Sequence, residues 1–599
     1  MKIDINWELD RILLKRGVIK ELSCDQAVDV ARDLEKRLSE GYKIGLYGVG
    51  IEAEGLLYFI FSHVTNLKID YCFDKTMRSF KYKDKIRESI VHPIEDIVKM
   101  KVDFLILGSY AYRQVFLENL KVLNFQGKVI DLFGCLGNYI EDHYVDYKIV
   151  YQTKQKYLNG ENSDKVELLG KLIKEYILLK DFINAFFCID EYVRYRYPDF
   201  EGYRELKEDL LMLLEKIRNT VSQRSGRDII INWIDALSYY DIPSFPFLFQ
   251  KMQSGVSFEN AYTVMPWTTE TTKTILFGKY PIEEKLFLVD KLSEDNAFLL
   301  KTLDENGYTF GYCGMPKFAK LFSDSVVAPV SYFSNKFAGS MQKQWDAINI
   351  LCQNEKPMCI LIHTLRETHE PFICGEGQTF NYYGSTEEIW RQEGCKKQAE
   401  ISGKYIDKQL KFYETLYPED AVEIYMSDHG RVGNSPMSEK KIHIMLTVNG
   451  KGILREQVNA MFSLVSFPDL IKKLILRQSD WSKLTNEYVI IENLDAYDER
   501  VVSTTLSGKL STEEMYQCRG IVTLSDRYYL YAYGKEYYFT DRWSNENEVC
   551  NQKYSERINE LKKICGQEFI DIFRYDKFKY SRLLYTKSGI TLHIQQKGN

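Results

Sequence analysis

Two apolar periodicities alternate along this chain, and the changes between them divide it. From about residue 41 to 150, short apolar runs of strand length are interleaved with helix-spaced segments. KIGLYGVG leads into the helical EAEGLLYFIF; KIDYCF, DFLILGS (Asp103 to Ser109) and KVIDLFG (Lys128 to Gly134) come after it. Strands that alternate with helices predict a parallel sheet with helical crossovers. Ahead of it, Cys24 to Leu38 has helical spacing. From about Tyr151 to Arg224 the helical period takes over. In KVELLGKLIKEYILLKDF, INAFFCIDEYVRYRY and GYRELKEDLLMLLEKIRNTV, apolar residues recur every three or four positions and charges fill the opposite face. Two or three packed helices are expected there, connecting the segments on either side. Past Ser225 and Gly226, strand-length runs return in a different form. Asp228 to Ile234 (DIIINWI) and Met358 to Ile362 (MCILI) are nearly continuous in apolar residues, as in a sheet covered on both faces.

Composition narrows the class. A chain of 599 residues is too long for one core, and with 45% hydrophobic and 27% charged residues it has material for several. A net charge of −6 argues against nucleic-acid binding as the main function. The 12 cysteines are scattered without a CxxC pair, which a reducing compartment tolerates. The opening MKIDINWELDRILLKRG has no signal-peptide core, and nowhere do enough apolar residues run together for a membrane span. A cytoplasmic protein is therefore expected, with a peripheral position at a membrane left open; self-association is also open.

The candidate chemistry lies where the apolar runs stop. DIIINWI ends at Asp235; MCILI is followed by His363, Thr364, Arg366 and His369; and EIYMSDHG, Glu423 to Gly430, stops at Ser427 and presents Asp428 beside His429. Open α/β sheets place their sites beyond the carboxyl ends of strands, and carboxylate with imidazole is a donor set for zinc or manganese. Four of the eight histidines (His363, His369, His429 and His443) fall within this region. A second informative stretch is AYTVMPWTTETTKTILFGKYP, Ala261 to Pro281, where five threonines crowd Thr268–Thr274 and a short helix ends at Gly278. Thr268 falls at or just before the helix start, where free amides and the dipole favour an anion. Nearer the N-terminus, Gly48, Gly50 and Ala53 fit G-x-G-x-x-G/A, and Asp74 ends the next strand at the distance of a ribose-binding acid. A nucleotide site is one reading of these four residues. Close helix–strand packing is the other.

The first of these regions, with its YGxG, FD and DFLILGS, resembles the small Rossmann-like domains attached to bacterial sugar-modifying and glycosyl-transferring enzymes, over about 90 residues. A more specific resemblance covers about 228 to 450. Asp235 after a buried strand, the threonine cluster leading into ILFG, THEPF around His369, SDHG at 427–430 and KKIHIML around His443 stand in the order seen in the alkaline-phosphatase superfamily. Its sulfatase-like branch, with the phosphoethanolamine and phosphoglycerol transferases, is the nearest in pattern. RGIVTLSDRYYLYAYGKEYYF, Arg519 to Phe539, looks like the C-terminal hairpin of sulfatases. The resemblance implies an α/β protein in five parts: a helical segment (1–40), a Rossmann-like domain (41–150), a helical connector (151–224), a sulfatase-like metal-dependent catalytic domain (225–490), and a small β-rich subdomain with a tail (491–599). It implies that Asp235, Asp428 and His429 hold a divalent metal, with Thr268 as nucleophile and fourth ligand, chosen because it lies ten residues before Gly278. Thr269 and Thr271 stay open as alternatives. His369 and His443 would contact a second metal or the transferred group, and His363, which has no clear counterpart, is a candidate to support the ligands from behind. The segment TTETT lacks the cysteine and arginine of the C-x-P-x-R sulfatases, which favours the threonine-nucleophile transferases; those are usually anchored by membrane helices, and none is expected here. The implied activity is hydrolysis or transfer at phosphate esters, phosphodiesters in particular, in glycan or cell-surface polysaccharide modification, with a sulfatase as the alternative. A nucleotide-binding oxidoreductase and a scaffold without catalysis are the readings from other classes.

Overall fold

The computed structural model describes residues 2–19, 25–49, 53, 56–57, 68–74, 90–109, 112–132, 147–160, 162–281, 286, 289, 292–315, 318, 322, 326–327, 339–369, 372–376, 393–430, 437–493, 518–531, 535–544 and 546–566. The chain forms two compact units. The larger takes Met1–Glu8, Val145–Pro329 and Gly339–Lys577, and the smaller Leu9–Tyr144, Val330–Ala338 and Phe578–Asn599.

The smaller unit is built on five parallel strands: β1 (Ile44–Tyr47), β2 (Tyr71–Phe73), β3 (Val91–His92), β4 (Phe104–Leu107) and β5 (Lys128–Ile130). Their order, β3-β2-β1-β4-β5, reverses direction between β1 and β4, as in doubly wound sheets. β1 is buried along its whole length, which is why IGLY carries no charged position.

In the larger unit, helices Tyr147–Asn159, Asn162–Leu178, Phe182–Arg194 and Phe200–Ser222 come first. They share a core with the sheet that comes after them. Phe182 packs with its ring centroid 5.2 Å from Trp345 and 6.2 Å from Phe412. Buried Asp181 accepts hydrogen bonds from Asn184 N–H, the Tyr405 hydroxyl (2.6 Å) and Gln409 (2.7 Å). The main sheet contains β6 (Ile229–Ile234), β7 (Val256–Tyr262), β8 (Thr309–Cys313), β9 (Met358–Thr364), β10 (Val422–Met426), β11 (Leu446–Gly450), β12 (Glu456–Ser463) and β13 (Thr485–Asn486). They lie in the order β13-β12-β7-β11-β10-β6-β9-β8. β6 sits centrally between parallel β9 and β10, and every residue of all three strands is buried, which explains why their apolar runs are nearly continuous. Arg224 fastens the entry to β6: its guanidinium grips both oxygens of Asp228 (2.7 and 2.8 Å), and Asp228 Oδ1 also accepts from the Met358 N–H at the start of β9.

β11 runs antiparallel to both β10 and β7, so β6, β7, β9 and β10 all point the same way. Their carboxyl ends, and the amino end of β11, form one edge. Asp235, the segment leading to Thr268, His363, Asp428, His429 and His443 all emerge there. β7 has no clear sequence signal, because Glu259 and Asn260 interrupt VSFENAY. A four-stranded antiparallel sheet, β14 (Tyr488–Asn493), β15 (Cys518–Thr523), β16 (Arg527–Tyr531) and β17 (Glu536–Phe539), completes the unit, with β15 and β16 as the expected hairpin. Tyr529 of β16 donates to the Met437 carbonyl just ahead of the site's last segment (2.8 Å). Among the described residues no helix is long and apolar enough to cross a membrane.

Candidate metal centre

Three side chains converge at the carboxyl edge of the main sheet. Asp235, Asp428 and His429 are all buried and each offers a ligand atom within 4.8 Å of the others. Each reaches this place by a local device. The Asp235 N–H donates to the Thr364 carbonyl (3.0 Å), extending the β6–β9 ladder by one residue. Ala236 then adopts φ 58°, a left-handed conformation that costs a non-glycine residue on the order of 1 kcal/mol. The turn aims the Ala236 N–H at Asp428 Oδ1 (3.1 Å), which also accepts the His429 N–H (2.9 Å).

The pattern of occupied and open atoms is consistent across the three residues. Asp428 Oδ1 is taken up by two amides, while the buried Oδ2 has no hydrogen-bond partner among the described residues. Asp235 Oδ2 faces His363 Nε2 at 2.8 Å and the Thr268 hydroxyl at 3.2 Å, while the buried Oδ1 has none. His429 Nδ1 lies 2.7 Å from the Gly430 carbonyl and 3.1 Å from Lys441 Nζ, so this nitrogen is engaged away from the two carboxylates. Nε2 lies 3.2 Å from the Thr268 hydroxyl, 3.4 Å from Asp428 Oδ2 and 3.9 Å from Asp235 Oδ1. Burial first, and then the charge of Asp428, push Asp235 up to about 8. Two carboxylates facing one another out of water are costly unless a cation lies between them. Two acidic oxygens and an imidazole nitrogen are the donors a divalent zinc or manganese ion takes.

Thr268 opens helix Thr268–Phe277, which Gly278 ends at φ 66°. Its hydroxyl faces His429 Nε2 (3.2 Å) as well as Asp235, at a helix start where the first amides have no intrahelical acceptor. Thr271 turns its hydroxyl to the Met265 and Trp267 carbonyls (both 2.9 Å), away from the three ligand residues.

Four residues add to this set. His363 is 1% exposed, and burial and the nearby Lys343 press it down to about 3, so it is neutral. Lys343 donates to the His363 carbonyl (2.7 Å), and burial draws it down to about 8. Lys441 lies 3.1 Å from the Gly430 carbonyl and from His429 Nδ1, over the Trp267 ring. His369 is half-buried and close enough for its charge to act on Asp235 and His363. Lys441 could have been found from the sequence, as the second lysine of KKIHIML sits against an apolar run that has no need of charge. Lys343 carries no such signal.

His443 does not join the group. Its Nδ1 faces the Tyr240 hydroxyl (2.7 Å), its Nε2 the Glu259 carbonyl (2.9 Å), and its ring stacks between Tyr239 (centroids 4.2 Å apart) and Tyr262 (4.8 Å). Both nitrogens are engaged in an aromatic cage, and among the described contacts His443 touches none of Asp235, Asp428 and His429. In the smaller unit, Gly48 adopts φ 92°, and a Cβ there would lie 2.7 Å from the Phe116 ring, so close packing demands the glycine. Asp74 accepts the Val49 N–H (2.9 Å), and Ala53 is buried. Gly50 lies outside the described residues.

No protein-family model matches the chain, and no curated protein matches it. Solved structures do. It is similar to a phosphonate monoester hydrolase of Agrobacterium radiobacter, at 12% identity and a TM-score of 0.42, over 56% of this chain and 94% of that one. It is also similar to a 2-O GAG sulfatase, at 14% identity and a TM-score of 0.42, over 60% and 94% of the two chains. A third is a protein in the alkaline phosphatase superfamily from Vibrio parahaemolyticus, at 16% identity and a TM-score of 0.36, over 60% and 96%.

Proposed function

We propose that this protein is a metal-dependent enzyme of the alkaline-phosphatase superfamily that hydrolyses or transfers the charged group of a phosphate ester, preferentially a phosphodiester, with Thr268 as nucleophile. One observation carries the reading. Asp235 Oδ1, Asp428 Oδ2 and His429 Nε2 are buried and face one another, while the second polar atom of each side chain is held by a neighbour. Such a set is built to receive a cation, and the Thr268 hydroxyl stands beside it.

A divalent cation bound by Asp235, Asp428, His429 and Thr268 would act as a Lewis acid toward the nucleophile and toward a substrate oxygen. Asp235 Oδ2, 3.2 Å from Thr268 Oγ1, is placed to accept the hydroxyl proton. The threonine oxygen then bonds to phosphorus as the ester oxygen departs with its electron pair, leaving a phospho-threonine. His369, half-buried like Thr268, would stabilise charge on the departing oxygen. Water completes a hydrolase cycle; a sugar hydroxyl completes a transferase cycle. Lys343, Arg366 and Lys441 add buried positive charge around the site, which suits an anionic substrate. Decoration of a glycan or cell-surface polysaccharide is the setting we propose, resting on the sequence resemblance alone. Sulfate esters are the second substrate class, since the donor set fits either tetrahedral group.

The test is release of p-nitrophenol from its phosphate monoester, its phosphodiester and its sulfate ester, with zinc or manganese added. Metal-dependent diester cleavage that falls by roughly 10³-fold or more in Thr268→Ala supports the reading. Sulfate cleavage as the leading activity moves the substrate to the second class. Activity unchanged by Thr268→Ala removes the nucleophile assignment.

A further inference from the structure

His363 belongs to no motif of the catalytic segment, yet it makes the shortest side-chain contact to Asp235 among those described: Nε2 to Oδ2, 2.8 Å. From this we infer that His363 is a positioning residue, which holds the Asp235 carboxylate in a single orientation so that Oδ1 is presented to the metal and Oδ2 to the Thr268 hydroxyl. The inference rests on the metal-centre reading above and deepens it.

A carboxylate at the end of a strand is free to rotate about its Cβ–Cγ bond and could offer either oxygen, or both, to an ion. Here the choice is made in advance. The acceptor oxygen at 2.8 Å places the ring hydrogen of His363 on Nε2, and that hydrogen is spent on Oδ2. The ring is packed on its faces. β9 pairs His363 with Trp233 of β6, and the imidazole lies between the Trp233 ring (4.8 Å) and the Phe318 ring (5.7 Å), with the Tyr312 hydroxyl 3.5 Å from Nδ1. From the other side, Lys343 fixes the His363 carbonyl (2.7 Å). The backbone of Asp235 is tied to the next residue of the same strand, Thr364 (3.0 Å). One strand therefore sets both the main-chain position of the ligand and the rotation of its carboxylate. Partners that orient a ligand in this way typically change metal affinity or activity by about 10–100-fold when removed.

The test compares four proteins, each stripped of metal and titrated with Mn²⁺ or Zn²⁺ by calorimetry: wild type, His363→Gln, His363→Asn and Asp428→Ala. Glutamine can bring an amide N–H to the place of Nε2, whereas asparagine is too short. The expected result is that Asn weakens binding by about 10–100-fold and Gln stays within about threefold of wild type. A Co²⁺ absorption spectrum adds a readout of ligand geometry, which is expected to change in the Asn variant and be kept by Gln. Equal affinities and spectra for wild type, Gln and Asn overturn the inference, as does equal loss in both. If Asp428→Ala also binds like wild type, the metal centre itself falls. If Asp428→Ala loses binding while both His363 variants keep it, only the positioning role falls.

Discussion

Replacing Asp235 with asparagine removes one of two facing buried carboxylates at almost constant volume, and the metal-free protein should respond to pH in a way that can be worked out. In the fold, burial and Asp428 raise Asp235 to about 8, with His369, Lys441 and the Thr268 hydroxyl pulling the other way. In the unfolded chain an aspartate titrates near about 3.9. Between those values the folded protein holds a proton that the unfolded chain has released. Its stability is therefore greatest below the lower value and falls as pH rises, by at most about 1.4 kcal/mol per pH unit, flattening above the upper value. From about pH 5 to 8 the loss approaches about 4 kcal/mol. For a unit of roughly 430 residues that is a fall in Tm of about 4–5 °C at the usual unfolding entropy per residue. The assay is differential scanning fluorimetry of EDTA-treated wild type and Asp235→Asn at half-unit intervals across this window. Groups elsewhere titrate in both proteins and cancel in the comparison. Wild type should lose stability more steeply than the variant, and saturating Mn²⁺ should restore the wild type while doing little for Asp235→Asn. Parallel curves for the two metal-free proteins would refute the claim that burial and the facing Asp428 carboxylate raise Asp235.

Three further outcomes come from the packing. His443→Gln breaks the contacts to Tyr240 and Glu259, so it should cost about 1–3 kcal/mol of stability while leaving bound metal, measured by elemental analysis, unchanged. Gly278→Ala forces a Cβ onto a residue at φ 66°, with Pro468 Cγ and the Val465 carbonyl 3.3 Å from it, and should cost on the order of 1 kcal/mol or more; activity per folded molecule in a thermal-shift-matched assay should fall only if the start of the Thr268 helix moves. Arg224→Met leaves buried Asp228 without its bidentate partner at the entry to β6, and should destabilise by about 3–5 kcal/mol, read by urea denaturation.

The fold was legible where burial is two-sided. DIIINWI, MCILI and EIYM read as strands because parallel strands buried on both faces have few polar positions to keep, and the same condition marks their ends: ligand-type residues after each run sit at the carboxyl edge. β7 lacked this signal, because Glu259 and Asn260 interrupt it; Glu259 accepts hydrogen bonds from the Ser257 hydroxyl (2.6 Å) and the Tyr239 hydroxyl (2.5 Å). The helical stretch read correctly as helices. Its membership of the larger unit did not show, because the contacts that place it there are individual pairs such as Asp181 with Tyr405, 224 positions apart.

Position along the chain and direction of a side chain are separate facts, and the site shows the difference. Asp235, Thr268, Asp428 and His429 could be picked out because strand ends and a helix start specify where a residue lies, and for these four place and direction coincide. For His443 they diverge. The motif order puts it at the right edge, and the structure does too, but its isolated bridge to Tyr262 sets the imidazole flat against that ring, and Tyr239 and Tyr240 close the cage from the loop after Asp235. For His363 place was legible and partner was not: it follows an apolar run among the ligand-type residues, and only the parallel register with β6 turns it onto Asp235, 128 positions away. The residues that could hold a metal are thus legible in local sequence, whereas the neighbours that contact them depend on strand register. A single substitution at His363 can accordingly leave every recognisable motif intact and still change which oxygen Asp235 presents.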